Sequence, residues 1–198
     1  MHALVMAAAL VFDVLISAGH EGRPASCAQF PGRACNLGTA GERQWTPIVA
    51  DAATAILRAH GVSVARLPAD FKRNYRVGAA AFIHFDGSAT PCGSGASIGY
   101  RGQAGRSAAT AWRALYSRYF PFRFEPDDFT VGLRDYYGFR QVDASEGALV
   151  LELGELTCPA QRAWLAPRLQ WEGALLAYFL SRRIGKGNVP DPGPFHEG

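Results

Sequence analysis

The sequence predicts an α/β fold, a single domain built on a mostly parallel central sheet flanked by helices. Three observations predict it. Short apolar, β-branched runs alternate along the chain with longer amphipathic ones, the order that β-strand–helix units produce. The length is 198 residues, enough for one core that buries about 70% of the unfolded surface with no help from metal or disulfide. Hydrophobic residues make up 48% of the chain and charged ones 19%, which excludes a disordered chain and a coiled coil. The glycines and prolines follow no G-X-Y period, so a collagen-like chain is excluded as well.

The elements follow in order. Residues 1–10 form an apolar lead-in or the remnant of an export signal; the run is too short to span a membrane and has no basic flank. A catalytic-size domain is expected over 11–184. Its first strand covers residues 12–17, where Val14, Leu15 and Ile16 are apolar, and it stops at Ser17, Ala18, Gly19 and His20. Residues 21–41 hold Gly, Pro and two Cys and read as a long surface loop. Trp45, Ile48, Val49, Ala52, Ala53, Ile56 and Leu57 recur at helical spacing, after a Thr39/Glu42 pair with capping-box spacing and before Gly61 as the stop.

A second strand over 62–67 gives way to a Pro68–Asp70 turn and a short helix through Arg76. Ala80, Ala81, Phe82 and Ile83 form a third strand that ends at His84, and residues 95–100 a fourth. A helix over 107–119 precedes an irregular aromatic stretch over 120–137. Residues 148–153 are a strand closed by Gly154, and residues 159–180 a helix. Residues 185–198 show no apolar period and are expected to be a solvated, flexible tail.

The net charge is +3. The basic residues, nearly all Arg, are scattered, so no nucleic-acid arm is present. The four cysteines, Cys27, Cys35, Cys92 and Cys158, include no C-x-x-C, which removes zinc-ribbon and thioredoxin readings. They read either as four packed thiols or as two disulfides. In the second case Cys27 pairs with Cys35 across a short loop and Cys92 with Cys158, which points outside the cytoplasm.

His20, His84 and Glu152 each stand at the carboxyl end of a predicted strand, where sites form in α/β sheets, and Glu42 opens the long helix. Two imidazoles and a carboxylate are the donor set of a catalytic Zn²⁺, and a further carboxylate can then serve as base. Each also has a plainer reading. A His after a strand can be a satisfied polar residue, and Glu42 can be a helix cap. Glu152 is harder to explain so, because a carboxylate in an apolar strand is costly unless paired or metal-linked.

The run from Leu15 through Ser17, Gly19 and His20 to Gly22 resembles the opening strand and Gly-His motif of zinc-dependent N-acetylmuramoyl-L-alanine amidases, the peptidoglycan amidases. Gly41-Glu42-Arg43 is similar to that family's second ligand at the head of a helix. Ile83-His84-Phe85-Asp86 is similar to its strand ending in Ile-His, and Leu151-Glu152-Leu153-Gly154 to its strand carrying the catalytic Glu. The resemblance runs from about Val11 to Ile184 and implies His20, Glu42 and His84 on zinc and Glu152 as general base. It also implies a peptidoglycan or muropeptide substrate, a monomer with no membrane span, and a periplasmic, secreted or phage-lysin setting. The chain departs from the pattern at Phe85-Asp86, at Glu155 and Cys158, and in its longer Cys-bearing loop. Another His₂Glu metallopeptidase and an inactive wall-binding module are the alternative functions.

Overall fold

A computed structural model describes residues 10–29 and 35–196. The lead-in expected over residues 1–10 therefore falls, except for its last residue, outside the described residues. The elements run β1 (Leu10–Ala18), α1 (Glu42–Ala59), β2 (Val64–Leu67), β3 (Tyr75–Asp86), β4 (Ser97–Tyr100), α2 (Gly102–Tyr116), α3 (Val131–Arg134), β5 (Val142–Ala144), β6 (Ala148–Glu155), α4 (Pro159–Leu165) and α5 (Leu169–Ile184). One six-stranded sheet has the order β2-β1-β3-β6-β4, and β5 pairs with the start of β3. Every pairing is parallel except β4 on β6.

Both faces of this sheet are covered, which is why its strands read as near-continuous apolar runs. Val14, Ile16 and Ala18 of β1, with Ala79, Ala81 and Ile83 of β3 and Leu149, Leu151 and Leu153 of β6, enter a large core. They meet Val49, Ala53 and Leu57 of α1, Trp112 and Tyr116 of α2, and Leu176 and Leu180 of α5 there. Leu15, Phe82 and Val150 point the other way, into a smaller core with Phe71, Tyr75 and Leu133. Truncating a fully buried aromatic such as Trp112 or Phe82 costs about 3–5 kcal/mol. Among the described residues, no helix is long and apolar enough to cross a membrane.

Several expectations change. No helix follows Pro68; residues 68–74 are irregular, with a turn at Ala69 and Asp70, because Phe71 packs into the smaller core and β3 already begins at Tyr75. The fourth strand, β4, is antiparallel. α2 begins and ends earlier than its apolar period predicts, and the irregular stretch contains α3 and leads into β5. The single helix expected over 159–180 is two, divided by a 3₁₀ turn at Ala166–Arg168 that contains Pro167 and so interrupts the backbone ladder.

Residues 185–196 lie against the body where a solvated tail is expected. Val189 is buried. The Trp171 indole donates to the Gly193 carbonyl at 2.9 Å, and the Arg168 guanidinium lies 4.4 Å from the centre of the Phe195 ring. The apolar anchors are too few and too irregular to form a period, which is why the pattern does not show them. Both disulfides are formed, Cys27–Cys35 and Cys92–Cys158.

Candidate metal centre

β1 and β3 are neighbours and parallel, so their carboxyl ends lie side by side, and His20 and His84 follow from them at the same edge of the sheet. Their rings meet edge to face, 5.0 Å between centres. The Glu42 carboxylate arrives from the first turn of α1, a place where the helix dipole favours negative charge. Its Oε1 lies 2.9 Å from His84 Nδ1 and 3.2 Å from His20 Nε2. One ligand atom from each of the three residues lies within 4.8 Å of the others. The capping box is half formed: Glu42 Oε2 accepts from the Thr39 backbone N–H at 2.9 Å, but the helix starts at Glu42 itself, after Gly41 in the left-handed region.

His20 Nδ1 lies 2.7 Å from the Asn36 carbonyl, which can only accept, and 2.9 Å from Arg23 Nη1, which can only donate; in the tautomer with the hydrogen on Nδ1, Nε2 is free to bind a metal. On the other ring, His84 Nε2 is 3.1 Å from the Tyr136 hydroxyl. Burial pushes the His84 imidazole pKa down, keeping it in the neutral form that binds metals. Burial opposes the charge on Glu42, yet its hydrogen bonds with His20 and His84 outweigh that and hold its carboxyl well below the usual range. A carboxylate and two imidazole nitrogens converging on one point form a donor set that could hold a divalent cation such as zinc.

Close backbone approach makes this convergence possible. A Cβ on Gly19 would strike the His84 ring and come within 2.6 Å of the Ile83 carbonyl; one on Gly38, at φ +75°, would hit the Glu42 carboxylate and the His20 ring.

Glu152 pairs directly with His84 across β3 and β6. It continues the face of Val150, while its neighbours Leu151 and Leu153 point into the larger core. Its Oε2 is buried with no hydrogen-bond partner among the described residues. Burial, reinforced by the charges of Glu42 and Asp86, pushes its pKa well up. Glu152, His20, Glu42, His84 and Asp86 line one cavity of about 410 Å³, and a second of about 550 Å³ continues past His20, His84 and Glu152 to Tyr136, Tyr137 and Arg140. The structure thus brings all four expected residues to one place. Asn36, Arg23, Asp70 and Tyr136, which surround them, are not foreseen from the sequence. Only the Tyr136-Tyr137 pair, two large aromatics in an irregular polar stretch, is a signal that could have found one of them.

The fold is shared with solved structures. The fold is that of N-acetylmuramoyl-L-alanine amidase catalytic domains. The catalytic domain of CwlV, an N-acetylmuramoyl-L-alanine amidase from Bacillus (Paenibacillus) polymyxa var. colistinus, superposes with a TM-score of 0.58 at 15% identity, covering 89% of this chain and 99% of that one. Ami1 of Mycobacterium smegmatis, an N-acetylmuramyl-L-alanine amidase, gives 0.59 at 17% identity, with coverage of 90% and 98%. Cwp6 of Clostridium difficile gives 0.59 at 17% identity over 91% of this chain; the chain spans 30% of that protein's length. No protein-family model matches the sequence, and no curated protein does. What this amidase fold shares with those proteins is architecture; the chemistry rests on the residues at the sheet edge.

Proposed function

We propose that the chain is a zinc-dependent hydrolase that cuts the amide between the lactyl group of N-acetylmuramic acid and L-Ala in peptidoglycan. His20, Glu42 and His84 hold the metal in this reading and Glu152 is the general base. The observation that carries it is the meeting of His20 Nε2, Glu42 Oε1 and His84 Nδ1 beside an unpartnered Glu152 carboxylate oxygen in one cavity. The amidase fold supports it.

Zinc, when bound, supplies a Lewis acid that draws electron density from the scissile carbonyl and makes water more acidic. The side chains do the rest. Glu152, desolvated and next to His84, takes a proton from the attacking water and returns it to the departing amine. The two cavities that meet at the histidines leave room for the two arms of a branched substrate, glycan and peptide. Two disulfides suit an oxidising compartment such as the one that holds the cell wall, or a lysin acting there.

The test is digestion of purified sacculi by the whole protein. New L-Ala amino termini without new reducing sugar ends are expected, together with one zinc per chain by metal analysis. Cleavage of protein substrates with no action on sacculi would show a metallopeptidase; binding to sacculi with neither zinc nor cleavage would show a wall-binding module.

A further inference from the structure

The outward nitrogens of the two histidines lead into chains of contacts that end on the same residue. From His20, Nδ1 lies 2.7 Å from the Asn36 carbonyl. That oxygen accepts from Arg23 Nη1, which also lies 2.9 Å from His20 Nδ1. The Arg23 guanidinium is held in turn by Asp70 through two bonds, Nε to Oδ2 at 2.7 Å and Nη2 to Oδ1 at 2.8 Å. From His84, Nε2 meets the Tyr136 hydroxyl at 3.1 Å. The Tyr136 ring packs against the Tyr137 ring, 4.7 Å between centres, and the Tyr137 hydroxyl accepts from the Asp70 backbone N–H at 2.8 Å.

Asp70 sits in the left-handed region, φ 59°. That conformation is costly for most side chains and tolerable for Asp. It lets one residue offer its carboxylate to one chain and its N–H to the other. The turn that carries it is tied to the end of β1, where Ser17 Oγ donates to the Pro68 carbonyl at 3.1 Å.

Resting on the metal reading above, we infer that Asp70 is a positioning residue that yokes both imidazoles, through Arg23 and Asn36 to His20 and through Tyr137 and Tyr136 to His84. Groups that fix a ligand ring from outside typically contribute 10- to 100-fold to metal affinity. Arg suits the first arm because its planar fork grips a carboxylate with two bonds while a third N–H remains for the carbonyl.

The experiment measures the zinc dissociation constant of the whole protein by chelator competition. Asp70→Asn keeps the N–H and the tolerance for positive φ while losing the carboxylate. Arg23→Gln cuts the same arm, and Tyr136→Phe cuts the other by removing one oxygen. Each is expected to weaken zinc binding about 10- to 100-fold, with the melting temperature of the metal-free protein nearly unchanged. Asp70→Asn with Arg23→Gln should cost little more than either alone, whereas Asp70→Asn with Tyr136→Phe should multiply their effects. Folded Asp70→Asn and Tyr136→Phe proteins that both bind zinc like wild type would overturn the inference, and these two decide it if the Arg23 variant fails to fold. A wild type without zinc affinity would overturn the metal reading and the yoke together. A wild type that binds zinc but leaves sacculi intact, with the variants weakened as stated, would overturn only the amidase assignment and leave the yoke standing.

Discussion

Glu42 and Glu152 stand at the same site, and their surroundings drive them in opposite directions. Glu42 accepts from Thr39 and Phe85 N–H groups and touches both histidines, so it stays ionised, as a ligand must. Glu152 has an oxygen with no partner among the described residues and two carboxylates nearby, so its proton affinity is raised, which suits the proposed base; a bound cation would oppose the shift and keep it ionised. Such divergence separates roles between paired carboxylates. Glu152→Gln is therefore expected to keep the fold and bound zinc and to lose about 10²–10⁴ in rate. Glu42→Gln should lose zinc on dialysis and regain part of its activity in excess zinc. Zinc content and kcat/KM on a muropeptide distinguish the two, and a Glu152→Gln protein that lost its zinc would refute the assignment. The sequence made these two residues legible for a physical reason: an acid in an apolar strand, or at the first turn of a strongly periodic helix, breaks a pattern. Asp70 and Arg23 break none, because each lies in a turn or loop where a charged residue is ordinary.

Elements were legible to the extent that burial imposed a period on them. The three long strands, β1, β3 and β6, and helix α1 show it, while β5 has only three residues and β3 extends at its start through an exposed Arg76 that hides the pattern. α5 hides a different feature. Its Glu172 is fully buried beneath β6, with Oε2 unpartnered. Tyr116 Oη lies 2.8 Å from both Glu172 Oε1 and the Leu153 carbonyl. The tyrosine has one proton for two acceptors, and both contacts are satisfied together when the Glu172 carboxyl is neutral and donates. Burial raises its pKa to about 8. Its folded pKa thus exceeds the ordinary 4.5. Its contribution to stability is complete below pH 4.5 and is lost as pH rises to about 8, by at most ~1.4 kcal/mol per pH unit. Glu172→Gln keeps the shape without the ionisation. Its melting temperature should match wild type near pH 4.5 and exceed it by several degrees at pH 8; a constant difference across that range would show that Glu172 does not titrate as described.

At the scale of the whole molecule, residues 185–196 belong to the body. Lys186 pairs with Asp13 at 2.6 Å, Ser181 Oγ donates to the Lys186 carbonyl and accepts from Val189 N–H, and Gly185 caps α5 with φ 62°. Removing residues 185–198 should cost about 2 kcal/mol, mostly from the burial of Val189 and the Trp171 face, and lower Tm by roughly 4–8 °C. A calorimetric melt unchanged by the truncation would show those contacts to be idle. The sheet edge carries one more consequence. His20, like Asp70, has a left-handed backbone, φ 60°, a conformation that costs on the order of 1–3 kcal/mol and persists only where surrounding structure enforces it. On the proposed metal reading the cage is thus assembled by the fold before any ion arrives, unlike a small zinc domain that folds around its metal. Uptake of zinc should then bury almost no apolar surface and carry almost no change in heat capacity. Titration calorimetry at several temperatures should give one nearly constant binding enthalpy, and a steeply sloping one would mean that the cage closes only around its ion.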